Sequence, residues 1–460
     1  MKRLSVLLAC LVLGCMVGPK YEKPAVELPE GWKETAPRFA EDGRWWRVYG
    51  DPQLEATIDE ALAGNADLLV AAARVDEARA LLDEANSFFW PSVSAQASAS
   101  RQEVSTRTAT FFSGIPREYN SHRATLNVSY ELDLFGRLRS NAAAARAELE
   151  ANEASREAVR LALAAQVARS YFALRALDEQ VLLTRRNVAL REEALALQRR
   201  RLQGGVISEF ELRQLEAEAA VVRAQLPPLE RDREREEVAL SVLLGRSPKQ
   251  VFEGNVKVKE AADETPGPPA IPSGLPSELL LRRPDLVEAE RLLVAANARI
   301  GVARAEMFPS IALTGFLGSE SAALSNLFSG SAAATWQIAA SVTQPIFQGG
   351  RLQARTEQAE ARERAAVTQY QQAIRAAFGE VRSALIAQSR ARESYEAESA
   401  RANALTESLR LARLRYQNGV ASQLDVLDAE RGLLAAQVAR VDALRAHRAA
   451  VADLFRALGG

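Results

Sequence analysis

Few side chains in this chain could carry chemistry. The only histidines are His122 and His447, in different settings and without partner motifs. The only cysteines, Cys10 and Cys15, fall in the first fifteen residues, so the body has neither a disulfide framework nor a Cys–His metal site. No nucleophile elbow or phosphate-cradling glycine loop is present. The many carboxylates on helical stretches read as solvated faces, not acid–base pairs. Catalysis, a resident metal and a cofactor therefore find no support. Two features remain. Asp425 and Asp428 open the last helical stretch three positions apart, on one side of a helix. Cys15 closes an N-terminal leader.

That leader has a positive start, Lys2-Arg3, and a short apolar core, Leu4 to Leu13. Val12-Leu13-Gly14-Cys15 then reads as a bacterial lipobox, with cleavage leaving a lipid-bearing Cys15 at the mature N-terminus. An ordinary signal peptide with an incidental cysteine is the plain alternative. Residue 16 is Met, not Asp, so no inner-membrane retention signal follows. Acyl chains anchor a protein to a bilayer without spanning it.

The elements that position these residues are dominated by two rods. From Arg137 to Gln203 there is no glycine or proline, which predicts a helix on the order of 100 Å long. Arg351 to Gln417 is its counterpart, with one glycine (Gly379) and no proline. Ala, Leu, Arg and Glu in bulk, with only 6% aromatics, suit long helices in lateral contact. Val167, Tyr171, Leu174, Leu177 and Val181 mark an inter-helix packing seam. A net charge of −1 indicates neither nucleic acid nor an anionic surface as partner. No apolar run after residue 15 reaches the roughly 18 residues of a transmembrane helix.

Four alternating segments predict strands, at about 91–102, 122–134, 309–317 and 335–346. The clearest sets Ala124, Leu126, Val128, Tyr130, Leu132 and Leu134 against Thr125, Asn127, Ser129, Glu131 and Asp133. Each is near the roughly 9–11 residues that cross a bilayer at a tilt. Phe88-Phe89-Trp90 and Phe308 stand where an interfacial aromatic girdle would lie. A half-buried sheet in a soluble domain alternates in the same way.

The halves of the chain repeat. Ala66-Asp67-Leu68 and Pro91-Ser92-Val93 recur as Pro284-Asp285-Leu286 and Pro309-Ser310-Ile311, at an offset of 218 (285 − 67). Gly136-Arg137-Leu138 and Gly205-Val206 recur as Gly350-Arg351-Leu352 and Gly419-Val420, at 214 (350 − 136). Tandem duplication follows. The expected division is a leader at 1–14, an N-terminal segment at 15–65, a first repeat at 66–245, a connector at 246–276 and a second repeat at 277–460. Each repeat reads helix, strand, strand, long helix, return helix. The long helices are expected at 137–203 and 350–417, and the second return helix at 422–457. Within the connector a proline-rich joint, Thr265 to Pro276, follows a possible short strand, Val251 to Gly254. Pro227-Pro228 is expected to split the first return helix into two stacked pieces. His122 is expected at the start of the second strand. Four strands cannot close a barrel with an interior, but three copies would supply twelve.

The chain resembles the TolC-like outer membrane factors, most closely the OprM-type outer membrane lipoproteins of tripartite pumps. The carriers are Gly14-Cys15 with Gly18-Pro19-Lys20-Tyr21 and Pro24; Trp45-Trp46 with Asp51-Pro52 and Leu54; Tyr130 to Gly136; Leu275 to Leu280 with Arg282-Arg283-Pro284-Asp285; and Pro345-Ile346-Phe347 with Gly349-Gly350-Arg351. The resemblance spans essentially the whole chain. It implies a mainly α fold with a small β part: a homotrimeric, twelve-stranded outer-membrane β-barrel continued by a periplasmic α-helical barrel. An equatorial band would come from the N-terminal segment, the connector and the chain ends. It also implies a lipid-anchored channel that passes drugs or other small toxic compounds outward, with a periplasmic membrane-fusion adaptor and an inner-membrane RND-type pump as partners.

The resemblance makes the turns between rod and return helix the periplasmic tip. Gly204, Gly205, Asn418 and Gly419 would contact the adaptor. Asp425 and Asp428 match the family's paired tip aspartates, Tyr416 a gate residue and Glu211 an acidic partner. Three copies would set six carboxylates around one aperture, attracting cations and repelling anions. Phe210 and Ala421 depart from a polar–arginine link of the TolC archetype, so the closing network here differs. For Asp425, Asp428 and Glu211, plain helix-start charge favoured by the dipole is the competing account. A protein-secretion exit duct and a soluble periplasmic helical adaptor remain the alternative functions. If Cys15 carries lipid, Cys15→Ser abolishes metabolic acyl labelling and changes the mature mass; unaltered mass and labelling would refute the lipobox.

Overall fold

The computed structural model describes residues 16–25, 43–107, 116–254, 256 and 283–460. Cys15 with its leader, and the connector's proline-rich stretch, lie outside the described residues. The elements run α1 (Pro52–Gly64), α2 (Ala66–Ser87), β1 (Ser92–Glu103), β2 (Glu118–Leu132), α3 (Arg137–Gln203), α4 (Glu209–Leu243), α5 (Pro248–Glu253), α6 (Pro284–Ala305), β3 (Ser310–Ser321), β4 (Ala334–Thr343), α7 (Arg351–Gln417) and α8 (Gln423–Leu458). The chain is thus mainly α with a small β part. No described helix is long and apolar enough to cross a membrane. Two compact units emerge: residues 1–26, 74–153 and 288–371 form one, and 27–73, 154–287 and 372–460 form the other. Each unit draws on both sequence repeats, because α3 and α7 each contribute to both.

In the first unit the strands form one antiparallel sheet in the order β1-β2-β3-β4. The second strand of one repeat pairs with the first strand of the other, which leaves β1 and β4 as edges. The register sorts the side chains cleanly. Val93↔Val128↔Gly315↔Ile338 and Ala95↔Leu126↔Leu317↔Trp336 lie on one face. Ser94↔Asn127↔Phe316↔Gln337 and Ser98↔Arg123↔Glu320 lie on the other. The apolar face is bare: Ile338 is 83% and Trp336 70% exposed.

The Tyr130–Gly136 motif is the joint between β2 and α3. Asp133 accepts hydrogen bonds from the Leu138 and Arg139 N–H groups at 3.1 and 2.9 Å, supplying acceptors for a helix start. Glu131 takes Arg137 in a two-pronged pair at 3.0 and 2.7 Å. Gly136 turns the chain with φ +79°, a conformation that favours glycine. Met16 packs on this joint: a Cβ at Gly136 would lie 2.9 Å from its Cγ. Gly18 meets Gly301 of α6 so closely that a Cβ would lie 2.9 Å from the Gly301 Cα, and Lys23 pairs with Glu290 at 2.6 Å. The Gly18–Lys23 stretch is therefore a strap, and its glycine is there for contact.

The second unit has the aromatic core. Trp45, Trp46 and Tyr49 are buried, with Trp45 stacked on Phe455 at 5.3 Å and Tyr49 against Phe172 at 4.8 Å. Asp51 ties this core together. One oxygen caps α1 through the Gln53 and Leu54 N–H groups. The other accepts from the buried Tyr171 hydroxyl at 2.9 Å and from Nη1 of the part-buried Arg175 at 2.7 Å. Burial, and then the nearby Asp51 carboxylate, push the Tyr171 hydroxyl pKa up. Arg283, also buried, donates to the Ala457 carbonyl and pairs with Asp285 and Glu380 at 2.8 Å each, fixing the end of α8.

Two expectations are corrected. Pro227 and Pro228 do not split the first return helix; α4 is continuous through them. Both prolines are exposed, so the carbonyls they leave unbonded can turn to water. Arg223 to Glu192 and Arg185 to Glu230 also bind α4 to α3 on either side of them. Val251 to Glu253 is helix, not strand. Ser247 and Gln250 form a capping box with Pro248 in the first turn, which outweighs the apolar Val-Phe pair.

Removing the Asp51 carboxylate leaves the largely enclosed Arg175 guanidinium without its ion-pair partner. Asp51→Ala is expected to cost about 3–5 kcal/mol, read as a lower unfolding midpoint of the detergent-extracted protein. Arg175→Ala on top of it should add much less than it costs alone.

Candidate functional site

The two helix–helix turns are built alike. In the first, the Val206 N–H donates to the Arg201 carbonyl at 2.9 Å, with Gly205 at φ +71°. In the second, the Val420 N–H donates to the Arg415 carbonyl at 3.0 Å, with Gly419 at φ +73°. This closure needs a left-handed residue, and glycine supplies it without a Cβ penalty. A serine-headed capping box then starts each return helix, Ser208 with Glu211 and Ser422 with Asp425. Glu211 and Asp425 are thus the same structural position, 214 residues apart (425 − 211).

Asp425 Oδ2 accepts from the Ser422 N–H at 2.7 Å and its hydroxyl at 2.9 Å. The N–H bond, and then the hydroxyl, hold the Asp425 carboxyl below the usual aspartate range. Glu211 Oε2 accepts from the Ser208 N–H at 2.8 Å. Asp428 pairs with Arg431 at 2.8 Å on the exposed surface, a contact worth little. Asp425 and Asp428 both face solvent. Helix capping therefore accounts for one oxygen of Asp425 and of Glu211, and leaves two exposed carboxyl groups three residues apart.

Tyr416 leads to a network that sequence reasoning missed. Its hydroxyl donates to Gln423 Oε1 at 3.2 Å, and Arg201 Nη1 donates to that hydroxyl at 3.3 Å. Gln198 Nε2 donates to the same Gln423 oxygen at 2.7 Å. A second cross-link runs from the buried Arg191 to Glu430 at 3.4 Å and from Arg413 to Glu430 at 2.9 Å. The helices α3, α7 and α8 are tied together here. No sequence signal marks it, because it joins glutamines far apart in the chain. Phe210 is exposed and Ala421 half-buried, so neither closes the network. Glu211 bonds to Ser208, in its own helix start, while Tyr416 bonds elsewhere.

The histidines stand apart. His122 lies inside β2, opposite Ala99 and Ser321, not at the strand's start; β2 begins at Glu118 because Glu118 to Ser121 pair with the far end of β1. His447 is buried against the Tyr395 ring at 6.3 Å. Burial, then Arg392 and Arg448, lower its pKa.

The Ser422–Asp425 cap makes a specific demand on pH. Because the folded-state pKa of Asp425 is depressed, its contribution is complete at neutral pH and lost as pH falls through that depressed value. Asp425→Ala removes the returning half of the capping box and should speed amide exchange at the start of α8 several-fold. Asp428→Ala should leave that exchange unchanged.

The model of the family described as outer membrane efflux protein matches residues 57–246 and 275–460. The chain is 35% identical over 468 aligned residues to the probable efflux pump outer membrane protein TtgC of Pseudomonas putida, covering 99% of this chain and 95% of that protein. It is 33% identical to the probable outer membrane lipoprotein SilC of Salmonella typhimurium, covering 100% and 98%. Among solved structures, the CmeC outer membrane channel of Campylobacter jejuni superposes with a TM-score of 0.87 at 28% identity, covering 97% of this chain and 95% of that one. With its duplicated turns, its edge-open sheet and a family match over both repeats, this chain belongs to the outer membrane efflux protein family.

Proposed function

We propose that this protein is the outer-membrane exit duct of a tripartite efflux system. It would take drugs or other small toxic compounds from a periplasmic adaptor and an RND-type inner-membrane pump. The observation that carries the reading is the sheet. Its apolar face is bare, its other face is largely polar, and both edges, β1 and β4, lack strand partners among the described residues. A bilayer tolerates no unpaired strand edge, so such a sheet must close with sister copies. Three copies give twelve strands, enough for an open interior. TtgC is named as a pump component and CmeC as a channel, and SilC as a lipoprotein, which favours export through a lipid-anchored wall protein.

In this reading Asp425 and Asp428 ring the periplasmic aperture. Tyr416, with Gln423, Gln198 and Arg201, holds neighbouring helices in the narrow state. Glu211 serves mainly as a cap. Gly204, Gly205, Asn418 and Gly419 shape the turns that meet the adaptor. Cys15 carries the lipid, next in the chain to Met16 and so beside the strand–helix joint.

The test is electrical and genetic. Asp425→Asn with Asp428→Asn keeps an acceptor for the Ser422 N–H while removing charge. It should raise single-channel conductance in planar bilayers and weaken block by multivalent cations. Unchanged conductance and block would remove the pair from the gate. Loss of the gene should increase susceptibility to a panel of toxic compounds; unchanged susceptibility together with lost protein secretion would favour a secretion duct. A stable single-chain species that passes no current would overturn the duct itself.

A further inference from the structure

The polar face of the sheet carries a charge pair among side chains that are mostly neutral, the other acid of that face in β2, Glu131, being paired with Arg137 at the strand–helix joint. Ser94, Gln96 and Ser98 of β1, Asn127 and Ser129 of β2, Thr314 of β3 and Gln337 and Ser341 of β4 share that face. Within it, Arg123 of β2 and Glu320 of β3 stand directly opposite each other. Arg123 does not rise away from the sheet. Its guanidinium carbon lies 4.2 Å from the centre of the Phe316 ring, four residues along β3. The intervening position is Gly318, opposite Thr125. A Cβ at Gly318 would come within 2.1 Å of the Ala124 carbonyl and 2.9 Å of Thr125 Cγ2. Thr125 is buried although it lies on a strand whose neighbours are largely open.

The missing side chain at Gly318 lets Thr125 close against β3, and the Arg123 guanidinium lies over the Phe316 ring, two residues further along that strand. The cation–π contact with the Phe316 ring holds the cation against the wall. Arg123 Nε makes no hydrogen bond and stands 4.0 Å from Glu320 Oε2. The Ser121 hydroxyl donates to Glu320 Oε1 at 3.2 Å and steadies the carboxylate. Opposite charges fixed side by side in a mostly neutral lining nearly cancel for a passing ion; removing one exposes the other.

We propose that Arg123 and Glu320 form a balanced charge ring that keeps the strand-built part of the duct nearly unselective between cations and anions. It is distinct from the Asp425/Asp428 pair. The inference rests on the trimeric duct reading, in which the polar face lines the interior and three copies place three such pairs at one level. Phe316 is a positioning residue, because it holds the guanidinium against the wall.

The experiment measures relative permeability to potassium and chloride in planar bilayers under a KCl gradient. Arg123→Gln should raise the potassium-to-chloride permeability ratio at least about twofold, since three carboxylates are left uncompensated. Glu320→Gln should lower it by a similar factor, and the double variant should return near the unmodified ratio. Open channels whose ratio moves in neither single variant, or in the same direction in both, overturn the inference while leaving the duct intact. If Arg123→Gln does not insert, Glu320→Gln decides alone: an unchanged ratio overturns the charge ring. If the unmodified protein passes no current, the duct reading falls and this inference falls with it.

Discussion

Backbone polar groups must find partners wherever water is absent, and in this chain that constraint falls on four strands. Within the sheet every neighbour is antiparallel and in register, and Val93, Leu126, Leu317 and Trp336 gather on one face, with Phe316 the large apolar side chain on the other. The two edges and the bare face are then left over. Neither water nor lipid alone satisfies all three surfaces. Water rejects the apolar face, and lipid rejects the edges and the polar face. A wall closed by further copies, with lipid outside and water within, satisfies each.

The helical unit answers a different demand. Long Ala-rich helices pack closely but offer little apolar bulk at any one level, so the unit concentrates its large side chains in one place. Trp45, Trp46, Tyr49, Tyr171, Phe172 and Phe455 form that node, and the Asp51–Arg175 pair is tied into it. The pair also caps α1, so one carboxylate sets a helix start, orients a tyrosine and neutralises a cation. The turns show the same economy: each serine caps a helix and also depresses or orients an acid that faces solvent.

The strands, the long helices and the tandem repeat were legible because they rest on periodicity and on where glycine and proline are absent. The motifs were legible too, although only the structure gives their reasons: Asp133 as a helix cap, Gly18 as a contact glycine, Asp51 as a buried hub. The continuity of α4 was not legible, since it depends on Pro227 and Pro228 being exposed and on two ion pairs from another helix. The Tyr416–Gln423–Gln198 network was invisible for a related reason. It joins residues more than 200 positions apart in sequence, and glutamine carries no signature of its own. Asp425 was picked out as a gate acid on resemblance, while its capping bond to Ser422 follows from local geometry shared with Glu211.

The strap ties the start of the mature chain to the strand–helix joint. Met16 is wedged at Gly136, and Gly18 touches Gly301, one residue and three residues after Cys15. Adjacent Cα atoms are only about 3.8 Å apart. A fatty chain on Cys15 would therefore hang from a leash with no slack. It could not wander to a convenient depth; the height at which the grease sits and the height at which β2 gives way to α3 would be one and the same, so the molecule would ride in its bilayer like a float welded to its mast.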